Sequence, residues 1–310
     1  MVSLIYDSAF LKHDTGPHHP ENSKRLEAIL ETLEASQDIS GRLQRINPKP
    51  ATDTDLARCH SEEMIFNIRA LCERGVSAID PDTHISADSF EVARLAAGAA
   101  VTAVDSVFAE DGGRAFALVR PPGHHATGGK PMGFCLFNNA AIAARYAQAK
   151  YDVETVLIID WDVHHGNGTQ DIFWLDPSVF YFSTHQSPHY PGTGSRDDIG
   201  AGKAEGTTLN IPLRAYTPAH DHRQFFNEAQ RAIERRFHPD LVIISAGFDS
   251  HRDDPLGNLM LMESDFAEMT KEVLRLAEKH STGRVVSLLE GGYNLKVLGG
   301  CVESHLAALL

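Results

Sequence analysis

Asp162 and His164 stand two residues apart in the stretch Asp160-Trp161-Asp162-Val163-His164-His165-Gly166. In extended backbone such residues project to the same side, so one carboxylate oxygen and one imidazole nitrogen could meet a single metal ion. An Asp-x-His pair alone would serve a hydrogen-bonded loop equally well. Repetition changes its weight. Arg120-Pro121-Pro122-Gly123 leads into the tandem His124-His125, Ser183-Thr184-His185 follows an aromatic run, and Gly247-Phe248 leads to Asp249. Glu290-Gly291-Gly292-Tyr293-Asn294 then sets a tyrosine behind two glycines, which permit close approach to a ligand. Carboxylates, imidazoles and a phenol are the groups of metal-assisted and general acid–base chemistry.

Each cluster is delivered by an apolar segment. Thr155-Val156-Leu157-Ile158-Ile159 precedes the Asp-x-His pair, Ala115-Phe116-Ala117-Leu118-Val119 the His pair, and Val179-Phe180-Tyr181-Phe182 the serine and threonine. Leu241-Val242-Ile243-Ile244-Ser245 precedes Asp249, and Arg284-Val285-Val286-Ser287-Leu288-Leu289 precedes Glu290. Uninterrupted β-branched runs read as strands of a parallel sheet buried on both faces. In open α/β folds the ligand site lies outside the carboxyl ends of the strands. Five strands unloading polar groups at one edge, where desolvation is costly and packing gains nothing, predict a catalytic edge.

Helical patterns lie between these runs. Leu26, Ile29, Leu30 and Leu33 repeat at helical spacing after Pro20, and Phe225, Phe226, Ala229 and Ile233 do so after Pro218. Ser264 is the expected N-cap of a segment carrying Phe266, Met269 and Val273. The fold class is α/β: an open, mostly parallel sheet with helices on both faces. No repeat or linker divides residues 1–310, which are read as one domain.

Composition bounds the function. At 310 residues and 42% hydrophobic content, the chain can bury a substantial core. A net charge of −14 argues against a nucleic-acid surface and tolerates cationic substrates. Met1-Val2-Ser3-Leu4-Ile5-Tyr6-Asp7 lacks signal-peptide character and no segment is read as long enough to span a membrane, so no membrane partner and a cytoplasmic location are expected. Cys59, Cys72, Cys135 and Cys301 have no CxxC spacing and read as reduced thiols. Cys135, beside the candidate pocket, reads as a buried inert thiol rather than a redox-sensitive one. Gly192-Thr193-Gly194-Ser195 lacks the lysine of a phosphate-binding loop.

Six segments together resemble the metal-dependent histone deacetylase family, which includes bacterial deacetylase-like amidohydrolases, acetylpolyamine amidohydrolases and acetoin-utilisation proteins. They are Arg120 to His125; Gly133-Phe134-Cys135 with Phe137-Asn138-Asn139; Asp160-x-Asp162-x-His164-His165-Gly166-Asn167-Gly168; Pro191-Gly192-Thr193-Gly194; Gly247-Phe248-Asp249; and Glu290-Gly291-Gly292-Tyr293. The resemblance runs from about Tyr6 to the C-terminus. It implies an arginase/deacetylase-like fold and hydrolysis of an acyl amide, most simply deacetylation of acetyl-lysine or a related N-acylated amine.

By this resemblance Asp162, His164 and Asp249 would hold Zn²⁺, with Fe²⁺ as the other ion such a ligand set accepts. Three protein ligands leave a position open, the arrangement of a catalytic site. Anionic ligands lower the Lewis acidity of zinc, so a base is needed to activate water. His125 would be that base and later the acid that protonates the leaving amine. His124 would be its electrostatic partner, held by Asp160, and Tyr293 would donate a hydrogen bond to the oxyanion. Potassium would sit among Asp160, the backbone of Asp162 and His164, and Ser183 with Thr184. A second potassium would use carbonyls near Phe173, Asp176 and Val179. Asn167 stands where some members carry a second aspartate behind the base, which should leave His125 less basic.

The same resemblance gives a substrate tunnel with Phe134 and Tyr190 as aromatic walls and the Gly133 carbonyl at its floor. Asp82 matches a rim position that contacts substrate amides, and reads equally as a turn residue in Asp80-Pro81-Asp82-Thr83. Leu256 occupies the position of a gatekeeper glutamate in a polyamine-selective relative, which tilts the choice toward acyl-lysine, although Asp253 and Asp254 are nearby. The alternative is an acetylpolyamine amidohydrolase. A binuclear manganese ureohydrolase is disfavoured because Gly166 follows His165 where a bridging carboxylate would be needed. A catalytically silent acyl-lysine binder should have lost a ligand, a histidine or the tyrosine. The oligomeric state is left open.

Overall fold

Apolar runs can be buried on both faces only within a parallel sheet covered by helices, and the five runs above lie in such a place. A computed structural model describes residues 1–109 and 113–310. Its eight strands are β1 (Val2–Ile5), β2 (Leu43–Ile46), β3 (Arg114–Ala117), β4 (Val156–Asp160), β5 (Val179–Gln186), β6 (Thr208–Leu213), β7 (Leu241–Ala246) and β8 (Val285–Leu289). They form one sheet in the order β2-β1-β3-β8-β7-β4-β5-β6, with every pairing parallel. The five runs read from sequence are five consecutive central strands.

The three strands that sequence reading passed over lie outside that block. β2 and β6 are the edges, and half-buried edge residues break the continuous apolar signal; β2 buries none of its four residues fully. Pro212 within β6 is tolerated because an edge strand need not donate every ladder hydrogen bond. Boundaries also moved, and β3 ends at Ala117 although its apolar run continues to Val119. β5 runs through Ser183, Thr184 and His185 instead of stopping at Phe182, and β4 includes Asp160. Asp160 is in register with Ser183 on one side and Ser245 on the other, which aligns the polar ends of three strands.

The helices are α1 (Lys24–Ala35), α2 (Asp53–Ala57), α3 (Glu62–Glu73), α4 (Ser89–Ala109), α5 (Asn139–Lys150), α6 (Asn167–Phe173), α7 (Ala219–Glu234), α8 (Glu263–His280) and α9 (Leu295–Leu309). One layer holds α4 against β1, β3 and β8, with α5 against β7; the other packs α1, α9, α8 and α7 side by side. Leu26, Ile29 and Leu33 of α1, and Phe226, Ala229 and Ile233 of α7, face the core as expected, while Phe225 is exposed.

Two expectations need correction. Ser264 is not an N-cap: α8 begins one residue before it, and the Asp265 carboxylate accepts the Met262 N–H at 2.7 Å. An acceptor three residues in thus does the work assigned to the serine. Nor is it right that no segment reaches membrane-span length. α4 has 21 residues and the hydropathy of a span, but most of it is buried against the sheet and α5, where an all-round apolar helix belongs.

Candidate active site

Asp162 and His164 follow β4, and Asp249 follows its neighbour β7, so strand order brings the three together; their ligand atoms lie within 4.8 Å of one another. His164 Nδ1 is 3.0 Å from Asp162 Oδ1 and 3.2 Å from Asp249 Oδ2. Main-chain N–H groups hold the remaining oxygens: Gly291 donates to Asp162 Oδ2 and Val163 to Asp249 Oδ1, each at 2.8 Å. Asp249 Oδ2 is buried without any hydrogen bond. A buried acceptor that no hydrogen bond satisfies is costly, and one nitrogen and two carboxylates facing a common centre fit a divalent cation that takes mixed N/O ligands. The electrostatics agree. Burial and then the charge of Asp162 push the Asp249 carboxyl up. Burial alone would lower His164, but the two carboxylates outweigh it and raise it to about 10. The site attracts positive charge.

Both glycines of the β8 exit are required. A Cβ on Gly291 would overlap the Asp249 and Asp162 carboxylates, and Gly292 has φ +120°, a region side-chain-bearing residues avoid. Tyr293 is thereby carried to the tunnel wall, half-buried. Burial raises its phenol well above 10, so it remains a proton donor.

His124 and His125 differ although they are adjacent. His124 Nδ1 donates to Asp160 Oδ2 at 3.0 Å, and its Nε2 lies 3.9 Å from Asp162 Oδ1. Burial would neutralise it, but Asp160 and Asp162 prevail and hold it as a cation. His125 Nδ1 donates to Asn167 Oδ1 at 2.8 Å, a neutral partner. Burial, then the charges of His124 and His164, push His125 well below the usual imidazole range. Its Nε2 is therefore an unprotonated base. The loop is set by Glu290, whose Oε2 accepts the N–H of Gly123 at 2.7 Å and of His124 at 3.2 Å. Asn139, at the start of α5, donates to the Pro121 carbonyl at 3.2 Å.

A cavity of about 250 Å³ opens onto these groups, lined by Asp82, His125, Gly133, Phe134, His164, His189, Tyr190, Leu256 and Tyr293. The five residues expected to contact substrate, Asp82, Gly133, Phe134, Tyr190 and Leu256, all line it. Phe134 stands edge-on to Tyr293, with centroids 5.9 Å apart, and Tyr190 edge-on to His125 at 5.1 Å. His189 was not foreseen; its ring stacks on His164 at 4.9 Å. Asp82 is at once a lining residue and part of the turn, which Asp80 Oδ1 caps by accepting the N–H of Asp82 and Thr83. A separate groove of about 1030 Å³ is lined in part by Thr193, Gly194 and Ser195. That loop is a scaffold: Thr193 bonds the His165 ring, and the Gly194 carbonyl accepts from His185.

Asp160, Ser183 and Thr184 lie on paired strands β4 and β5, with Asp162 and His164 in the following turn, so the residues expected around a first potassium are neighbours in the fold. In the second, Phe173 ends α6 and Val179 starts β5, but the Asp176 carboxylate is already taken by Arg145 at 2.5 Å and Ser178 at 2.7 Å. Only main-chain carbonyls would remain there for an ion. Asp254 is buried and occupied by main-chain N–H groups, so it is not free to receive a substrate cation; Asp253 is exposed. Cys135 is fully buried, its thiol pushed far up by burial, as an inert thiol should be.

Sequence reading missed the network that braces this site. Glu21 pairs with Arg120 at 2.6 Å and with Arg25 at 3.1 Å, all three wholly buried. Arg25 also donates to the carbonyls of Gly292 and Glu290 and lies 4.9 Å from the Tyr293 ring centroid. Arg120 and Glu290 stood inside motifs already noted, but nothing in the spacing tied them to Glu21.

Comparison with known proteins agrees with this geometry. A family model described as the histone deacetylase domain matches residues 19–309. The chain is 43% identical to histone deacetylase 14, chloroplastic, of Arabidopsis thaliana over 99% of its length and 76% of the relative's. It is 36% identical to a histone deacetylase-like amidohydrolase of Pseudomonas aeruginosa over 94% of its length and 82% of the relative's. The crystal structure of the HDA15 HD domain superposes with a TM-score of 0.93 at 37% identity, covering 99% of this chain and 90% of that one. One parallel sheet ending in a buried Asp-His-Asp cluster, a cationic and a neutral histidine, and matches along almost the whole length lead to one conclusion: the chain belongs to the histone deacetylase family of hydrolases.

Proposed function

We propose that the chain catalyses metal-dependent hydrolysis of an acyl amide, deacetylating acetyl-lysine or a related N-acylated amine to give acetate and the free amine. The observation that carries this reading is the buried Asp249 Oδ2, which no hydrogen bond satisfies, beside His164 and Asp162 at the end of a tunnel that also presents a neutral His125 and a protonated Tyr293. Asp162, His164 and Asp249 would hold Zn²⁺ or Fe²⁺, which when bound polarises a carbonyl and makes water more acidic.

The chain's own groups do the rest. His125 takes a proton from the attacking water at Nε2, because its Nδ1–H is committed to Asn167, and returns it to the amine nitrogen as the C–N bond breaks. His124, held as a cation by Asp160, favours negative charge building nearby. Tyr293 keeps its proton and donates a hydrogen bond from its hydroxyl to the oxygen on which that charge develops, a contribution of about 3 to 4 kcal/mol for one such donor. Phe134 and Tyr190 enclose the methylenes, and the apolar Leu256 with the occupied Asp254 favours acyl-lysine over a polyamine. Potassium among Asp160, Ser183 and Thr184 belongs to the same reading.

The test is a deacylation screen of acetyl-lysine peptides against acetylated polyamines, with metal analysis of the same preparation. Chelation should abolish hydrolysis, and Asp249→Asn should lower bound metal because it removes an anionic ligand. Full activity in metal-free protein would sink the mechanism.

A further inference from the structure

We propose that Asp254 is a positioning residue for Tyr293, and through it for the oxyanion-binding step; this rests on the hydrolysis proposed above. Asp254 is buried on the segment between β7 and α8 that also carries Asp249 and Leu256. Its Oδ2 accepts the N–H of Tyr293 at 2.7 Å and of Asn294 at 3.2 Å, and its Oδ1 accepts that of Leu256 at 2.9 Å. One carboxylate thus ties the turn bearing the oxyanion donor to the segment bearing a metal-ligand candidate and the tunnel mouth.

Tyr293 needs such an anchor. It follows two glycines, the second at φ +120°, and α9 begins only at Leu295, so regular structure does not fix its backbone. External groups do. Arg25 holds the Gly292 carbonyl on one side, and Asp254 holds the Tyr293 N–H on the other. Asn294 adds a bond from its Nδ2 to the Asp253 carbonyl at 2.6 Å. From the same hub the contacts continue round the mouth: the Leu256 carbonyl accepts from His189 Nε2 at 2.8 Å, and the His189 ring stacks on His164. A small rotation at the Tyr293 backbone is magnified at its hydroxyl, and a misplacement of about 1 Å can cost about a hundredfold in rate.

The experiment is a double-mutant cycle on metal-loaded protein with an acetyl-lysine peptide, measuring kcat, KM and bound metal for Asp254→Ala, Asp254→Asn, Tyr293→Phe and the two doubles. Asp254→Ala should lower kcat by about 10- to 100-fold, with KM changed by less than about threefold and metal content unaltered. Asp254→Asn keeps an oxygen acceptor and should retain more activity. In the Tyr293→Phe background no hydroxyl is left to misplace, so adding Asp254→Ala should cost less than about threefold. Losses that multiply, or a variant that simply loses metal, would overturn the positioning role. Should Asp254→Ala fail to fold, Asp254→Asn and its double close the same cycle. An unimpaired Tyr293→Phe would overturn the mechanism itself, whereas an impaired Tyr293→Phe with multiplying losses overturns only the part given to Asp254.

Discussion

Two adjacent histidines with identical side chains acquire opposite properties from what each faces. His124 meets two buried carboxylates that hold it charged, whereas His125 is kept neutral by burial and by the positive charges of His124 and His164, which its bond to a neutral carboxamide does not offset. That division predicts unequal losses on truncation. His125→Ala should reduce kcat by about 10² to 10⁴, the range of general acid–base catalysis, and His124→Ala by less. Reversed losses in steady-state assays would exchange the two roles. Leu256 gives a second prediction at this scale. It is half-buried at the mouth, and its apolar side chain offers a polyamine ammonium no charge. Leu256→Glu would supply a charged acceptor worth about 1.5 to 3 kcal/mol, so kcat/KM for acetylated polyamines should rise about tenfold or more relative to acetyl-lysine peptides. A wild-type protein already strongly selective for polyamines would contradict the reading of Leu256. Asp254 could not explain such a result, being occupied, and the search would move to exposed Asp253 and Asp82.

At the scale of elements, the sheet centre was legible and its edges were not. β3, β8, β7, β4 and β5 are buried almost throughout, so each appears in sequence as a mostly apolar run, with Ser287 and Ser245 the polar residues inside β8 and β7. β2 and β6 meet a neighbour on one side only, and their mixed patterns look like loop. Ile158 sits wholly buried in β4 between β5 and β7. Ile158→Ala should destabilise the protein by about 2 to 5 kcal/mol, because neighbouring strands cannot collapse to fill the space. Denaturant unfolding that shows less than about 1 kcal/mol of change would mean that β4 is not in the packed centre. Since β4 also delivers Asp162 and His164, the same variant should lose metal affinity.

For the whole molecule, the buried cluster of Glu21, Arg25 and Arg120 joins the segment after β1, the start of α1 and the loop after β3 to the β8 exit. Burial alone would raise the Glu21 carboxyl, but Arg120 and then Arg25 overcome it and hold the carboxyl near 2, against 4.5 for an ordinary glutamate. A depressed folded-state value means the stabilisation is fully present above pH 4.5 and is lost as pH falls toward 2. It amounts to about 3 kcal/mol at 1.36 kcal/mol per unit. Acid unfolding followed from pH 6 to pH 2 should be steep in this window, and Glu21→Gln should flatten it while lowering stability at neutral pH. An unchanged acid limb in that variant would remove the cluster from the account. The sequence by itself determined the parallel sheet and the acidic, imidazole and phenol groups gathered at one edge of it, because apolar runs and the motifs at their ends are local signals. Only the tertiary structure decided which oxygen of Asp249 is left without a hydrogen bond, that His189 lines the tunnel, and that Glu21, Arg25, Glu290 and Asp254 hold the loops around it. Those contacts join residues up to 267 positions apart, as Arg25 does with Gly292, and no spacing rule reaches across strands whose order in the sheet differs from their order in the chain.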